Sequence, residues 1–216
     1  LNYFKGKGVD MPYFINFLRV PKAGKSFEVL EAMKKAHAAT GRPGNITVPL
    51  SGANLGQSRP GLISLVGGFT TLDDVDALND TYLSNPEMQK GQMGIDGLCD
   101  KTNYIVSEIL AGPEFPEGYE ATTVSRLVLV AKPTKGQELV EALLDVREKV
   151  GGEPKNVISR PITGPIGQFR VTMFGTSLQD IENKRVESLK HLGNIPDLIS
   201  SNAVRNLGRI VYSSQA

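Results

Sequence analysis

The strongest constraint on this sequence is that it repeats itself. Glu28 to Met33 (EVLEAM) matches Glu138 to Leu143 (ELVEAL), and Gly41 to Ile46 matches Gly152 to Val157. Pro49 to Gly52 then matches Pro161 to Gly164, and Thr71 to Asp76 matches Ser177 to Glu182. The matches keep their order, so the chain reads as one unit of about 100 residues used twice. Between the copies, Ala111 to Glu120 (AGPEFPEGYE) concentrates Pro and Gly and reads as a linker. The expected organisation is an N-terminal extension over 1–11, a first unit over 12–110, a linker over 111–121 and a second unit over 122–216.

Each unit has the same internal pattern. Residues 13–20 and 123–131 are aliphatic and β-rich, as strands should be. Residues 26–40 carry Val29, Leu30, Met33, Ala36 and His37 at helical spacing, and 136–150 carry Leu139, Val140, Leu143, Val146 and Val150. Gly41 and Gly151 stand where helices stop. Strands are expected at 45–50 and 156–160, at 62–67 and 168–174, and at 103–110 and 206–213. Second helices should start at Thr71 and Ser177, with acidic residues in the first turn suiting the helix dipole. The unit is β-α-β-β-α-β, the ferredoxin-like arrangement, so the fold class is α+β. Its sheet has helices on one face and nothing on the other. Two such sheets satisfy the burial requirement by packing face to face as an α/β barrel, within one chain or across a homodimer.

Composition removes several function classes. The 216-residue chain has 24 Lys+Arg against 23 Asp+Glu, a net charge of +1, which lacks the basic surplus that nucleic acid demands. No apolar run reaches the roughly 18 residues of a membrane span. One Cys gives neither an internal disulfide nor a thiolate metal cluster, and the two His have no metal-ligand spacing. The first ten residues lack the apolar core of a signal peptide, so a cytoplasmic location is expected.

Gly68 to Asp74 (GFTTLDD), running into Leu83 to Lys90 (LSNPEMQK), resembles the dimeric α/β-barrel superfamily at its entry to the second helix. That superfamily includes antibiotic-biosynthesis-type monooxygenases, NIPSNAP-like proteins, stress-responsive barrel proteins and the chlorite dismutase group. Met88 stands where an aromatic is usual, and the second unit keeps no such segment at His191 to Pro196. The resemblance implies the fold and a homodimer. It does not select one activity, because the superfamily hosts oxygenases, isomerases, haem proteins and plain ligand binders.

The residues that could carry chemistry are few. Gly61, Gly67, Gly68, Gly164 and Gly167 match no phosphate-binding pattern and read as turns and bulges. His37 lies on the apolar stripe of its helix near the C-terminal end, with Arg147 in the matching place. His191 lies in the region from which chlorite dismutase-like relatives present a haem ligand, but about 110° from the apolar stripe, on an outer face. No haem, metal or other cofactor is therefore expected. Cys99 reads as a small buried side chain, and Asp73, Asp74 and Asp76 as first-turn charges.

Strand alternation is more informative. The repeat register pairs Asn16 with Arg126 and Ser64 with Arg170, and predicts that all four point away from the helices. Ile63 and Leu65 should then face the helices. Arg126 and Arg170 should lie close together on central strands, where like charges need an anion between them. Either a facing carboxylate such as Glu108 supplies it, or a small organic anion does, held by Arg126, Arg170, Asn16 and Ser64. The two function classes left open are a cofactor-independent monooxygenase- or isomerase-like enzyme acting on a small organic acid, with catalytic residues unassigned, and a non-catalytic binding or assembly protein.

Overall fold

The computed structural model describes residues 12–50, 61–150, 152–200 and 203–214. The N-terminal extension over 1–11, the last two residues of the Pro49–Gly52 match and the helix stop at Gly151 lie outside the described residues. The first half runs β1 (Tyr13–Pro21), α1 (Ser26–Ala39), β2 (Gly44–Pro49), β3 (Leu62–Phe69), α2 (Leu72–Ser84), α3 (Pro86–Gly97) and β4 (Cys99–Ala111). The second runs β5 (Thr123–Val130), α4 (Gly136–Lys149), β6 (Val157–Pro161), β7 (Gln168–Gly175), α5 (Leu178–Leu189), α6 (Ile195–Leu198) and β8 (Val204–Ser214). This is an α+β protein with the ferredoxin-like element order used twice.

The strands form one closed antiparallel barrel in the order β1-β3-β2-β8-β5-β7-β6-β4. Each half supplies four adjacent strands. Beyond facing one another, the two half-sheets are joined edge to edge. Gly44–Pro49 pairs with Gly208–Ser214 along one seam, and Ser107–Ala111 with Ile158–Pro161 along the other. Closure leaves no sheet edge unpaired among the described strands. It is complete within one chain, so a second copy is not needed to cover the sheets.

Repeated local chemistry sets the helices. Thr71 caps α2 by accepting from the Asp74 N–H, and Ser177 caps α5 by accepting from the Asp180 N–H. The carboxylates answer in the same way, Asp74 Oδ2 accepting from Thr70 N at 2.9 Å and Asp180 Oδ2 from Thr176 N at 3.0 Å. Hydrogen bonds from Thr70 and Thr71 hold the Asp74 carboxyl down at about 2. Asn85 caps α3 from Glu87 N and Met88 N. Outside the barrel, Val29 and Met33 of α1 pack with Ile46 and Leu62, Val75 of α2 with Ile15 and Val66, and Leu139 and Leu143 of α4 with Leu129 and Phe169. Full burial of Val29 and Leu139 contributes about 1.5–3 kcal/mol each.

Inside the barrel, Phe14, Ile109, Val124, Val157 and Phe174 form an apolar floor. The linker packs onto it: the Phe115 ring meets Phe174 edge-on at 5.2 Å and Tyr119 at 5.9 Å.

Candidate functional site

Above that floor the barrel turns polar. Phe14, Asn16 and Leu18 of β1 alternate with the helix-facing Ile15 and Phe17, as expected. In β5, Val124, Arg126 and Val128 point inward while Leu127 and Leu129 meet α4. Arg126 is directly opposite Thr172 and Arg170 opposite Val128, which places the two arginines diagonally on one inner face. Diagonal positions of this kind have Cα atoms about 7–8 Å apart.

Both guanidiniums reach strands of the first half of the chain. Arg126 Nη1 donates to Thr47 Oγ1 of β2 at 3.0 Å. With the Asn16 amide oriented oxygen-inward, its oxygen accepts from Arg170 Nη1 at 2.9 Å and Nη2 at 3.3 Å. The Arg170 guanidinium also lies 4.9 Å from the centre of the Phe14 ring. Arg170 Nε is buried with no partner, and so is Asn45 Oδ1 on the inner face of β2. Burial and the Arg170 charge pull Arg126 down to about 9, burial pulls Arg170 down to about 10, and no carboxylate among the described residues raises either. Neutral acceptors thus meet two buried cations. Arg170, Leu65, Ile105 and Asn206 project inward and are half-buried as whole residues.

Two expectations are corrected. Glu108 is not a counter-ion for the pair. It points outward, where its Oε2 accepts from Arg160 Nε at 2.8 Å across the β4–β6 seam. Ser64 does not line the interior either; it faces α1. Cross-strand pairing places Leu65 opposite Asn16 and Ile63 opposite Leu18, so Ile63 is the inward counterpart of Arg170. The cause is one extra residue in β3. Its register against β1 shifts between Tyr13 and Ile15, at the Gly67–Gly68 bulge, whereas β7 pairs with β5 without a shift. A bulge of one residue turns every side chain on its far side to the other face. Gly68 has φ 80, which a glycine adopts without strain.

Ser64 instead serves His37. His37 Nδ1 is 3.0 Å from Ser64 Oγ and Nε2 is 2.9 Å from Ser214 Oγ, which itself donates to the Arg42 carbonyl at 2.8 Å. Ser214 has one hydroxyl proton, so it accepts from Nε2–H, and Nδ1 accepts from Ser64. Burial pushes His37 below its ordinary value, and it is neutral here. Arg147 holds the matching place on α4 as a cation, donating to the carbonyls of Asn156 at 2.9 Å and Gly112 at 2.7 Å and to Glu114 at 3.1 Å.

Thr47 and Asn45 were not anticipated from the sequence, although their alternation with the outward-facing Ile46 and Val48 carries the signal. A haem does not fit the histidines. Both nitrogens of His37 are engaged, and His191 lies just past the end of α5 on the outside, against Glu187 at 3.4 Å. Among the described residues, no group of three or more His, Cys, Asp or Glu is placed to hold a metal ion. No described helix is long and apolar enough to cross a membrane.

The closed eight-strand sheet with outer helices is the dimeric α/β-barrel fold, and solved structures match it over their full length. An anthrone oxidase-like protein superposes with a TM-score of 0.68 at 13% identity, covering 95% of this chain and 93% of its own. A Fusobacterium nucleatum protein provisionally assigned as a monooxygenase gives 0.71 at 12% identity, covering 96% of both chains. A chlorite dismutase variant from Candidatus Nitrospira defluvii gives 0.54 at 10% identity, covering 93% and 92%. No protein-family model and no curated protein matches the sequence.

Proposed function

We propose that the barrel binds a small organic anion through Arg126 and Arg170, and that the chain is a cofactor-independent monooxygenase- or isomerase-like enzyme acting on such an acid. The observation carrying this reading is the uncompensated arginine pair: two buried guanidiniums with only Thr47, Asn16 and an aromatic face as described partners. Burying such charges costs several kcal/mol per ion, a cost that a bound anion offsets. Asn16 then orients Arg170, and Leu65, Ile63 and Val128 supply apolar walls. In catalysis, the guanidiniums would stabilise negative charge developing next to the bound carboxylate. Likeness in fold to an anthrone oxidase-like protein supports the oxygenase class.

The second reading is a binding protein without catalysis. It is favoured by the lack, among the described residues, of a carboxylate beside the arginines that could act as a base.

Thermal shift across a panel of organic acids tests the site, using wild type, Arg126→Ala, Arg170→Ala and the double variant. Acids should stabilise the wild type, and each single variant should lose about 1.5–3 kcal/mol of that effect. If no acid stabilises the wild type, or the variants respond as it does, the site reading is wrong. Turnover of a stabilising acid under oxygen, or its isomerisation, separates enzyme from binder.

A further inference from the structure

The arginine pair also constrains what it takes. The two guanidiniums start from neighbouring strands but end on different ones, Arg126 on Thr47 of β2 and Arg170 on Asn16 of β1. β1 and β2 flank β3, so these anchors stand two strand spacings apart, roughly 9–10 Å across the strands, and are offset by a further two residues along them. Inward-facing Leu65 of β3 is directly opposite Asn16, and inward-facing Ile63, two residues along the same strand, is directly opposite Thr47, so both apolar side chains stand between the two anchors. The two guanidiniums are therefore tied to separate anchors, with apolar side chains of β3 between those anchors.

Charge counting sharpens this. Both guanidiniums remain protonated at neutral pH, so the site carries two positive charges. A monoanion would neutralise one and leave the other buried among neutral groups. A compact dianion such as phosphate would have to draw both tips from their separate anchors. Two acidic groups joined by a short apolar spacer satisfy both guanidiniums where they stand, with the spacer against Leu65.

We infer that the occupant is a short aliphatic dicarboxylate, one carboxylate on Arg126 and the other on Arg170. This rests on the anion-binding reading above and goes further in specifying the charge and its separation. Arg170 Nε, buried and without a partner, supplies a further donor for its carboxylate. Fork-shaped guanidinium–carboxylate pairing suits both ends.

The test is calorimetric titration at low salt and pH 7, with succinate, glutarate, monomethyl succinate and inorganic phosphate as probes. Succinate or glutarate should bind about tenfold or more tightly than monomethyl succinate, which has the same skeleton but one charge. Arg126→Met and Arg170→Met, which keep side-chain volume, should each bring the dicarboxylate down to the affinity of the monoester. Equal affinity of monoester and diacid in the wild type overturns the dicarboxylate assignment while leaving the organic-anion reading standing. Phosphate binding with both dicarboxylates rejected also overturns it, in favour of a compact dianion. If none of the four probes binds, both readings fall. The wild-type comparison needs no variant, so a variant that fails to fold does not blunt it.

Discussion

Arg126 and Arg170 lie diagonally on one wall of the barrel, and each is hydrogen-bonded to a strand contributed by the other half of the chain, Arg126 to β2 and Arg170 to β1. They tie the two halves together through charged side chains, where aliphatic ones would carry no desolvation cost.

That cost gives a prediction of unusual sign. Replacing a buried charge that has no counter-ion by a hydrophobic residue of similar size should stabilise the empty protein. Arg126→Met is expected to raise unfolding free energy by about 1–4 kcal/mol in urea denaturation. A loss of stability would instead mark the arginine as a structural member.

The same charges set an alkaline trend. Burial lowers Arg126 to about 9 and Arg170 to about 10, so above about pH 9 the folded chain releases protons that the unfolded chain still holds. Stability contributed by these groups therefore rises with pH in that range. The advantage of Arg126→Met over wild type should shrink between pH 8 and pH 11. A constant gap would contradict the assignment.

Acid acts through His37. It is buried, neutral and hydrogen-bonded to Ser64 and Ser214, and its value lies below the ordinary one. The unfolded chain takes up a proton first as pH falls, so stability is lost from about pH 6.5 downward. His37→Gln should flatten that slope. It should also cost about 1–3 kcal/mol at pH 7.5, because one serine loses its partner. An unchanged slope would assign acid sensitivity elsewhere.

Arg147 provides the contrast. Its side chain is 8% exposed and ties α4 to the Gly112 carbonyl of the linker and the Asn156 carbonyl before β6. Arg147→Met should destabilise by about 3 kcal/mol, the opposite sign to Arg126→Met, since it strands two carbonyls. Protease nicking near Gly112 should speed up in parallel.

How far the sequence led can be traced residue by residue. Alternation in β1 and β5 was unbroken, so Asn16 and Arg126 were placed correctly, and Thr71 and Ser177 announced their helices through capping chemistry. The repeat register that pairs Ser64 with Arg170 fails in β3 because a bulge between Val66 and Phe69 shifts its pairing with β1, while β7 pairs with β5 without one. The pairing of β4 with β6, which takes Glu108 to Arg160, depends on contacts far apart in the chain and leaves no local pattern. The reach of Arg126 to Thr47 was hidden for the same reason.

The bulge at Gly67–Gly68 carries one more consequence. Duplicated halves start with identical inner surfaces, and changing those surfaces one substitution at a time would pass through mismatched interiors. A single inserted residue exchanges the inward and outward sets of an entire strand segment at once, while the capped helix beyond it keeps its seat. In this chain the exchange sets Ile63 where the other half sets Arg170, and sends Ser64 outward to His37. One codon of difference in length thus suffices to give two copies of one fold separate duties, one offering charge and the other a greasy wall.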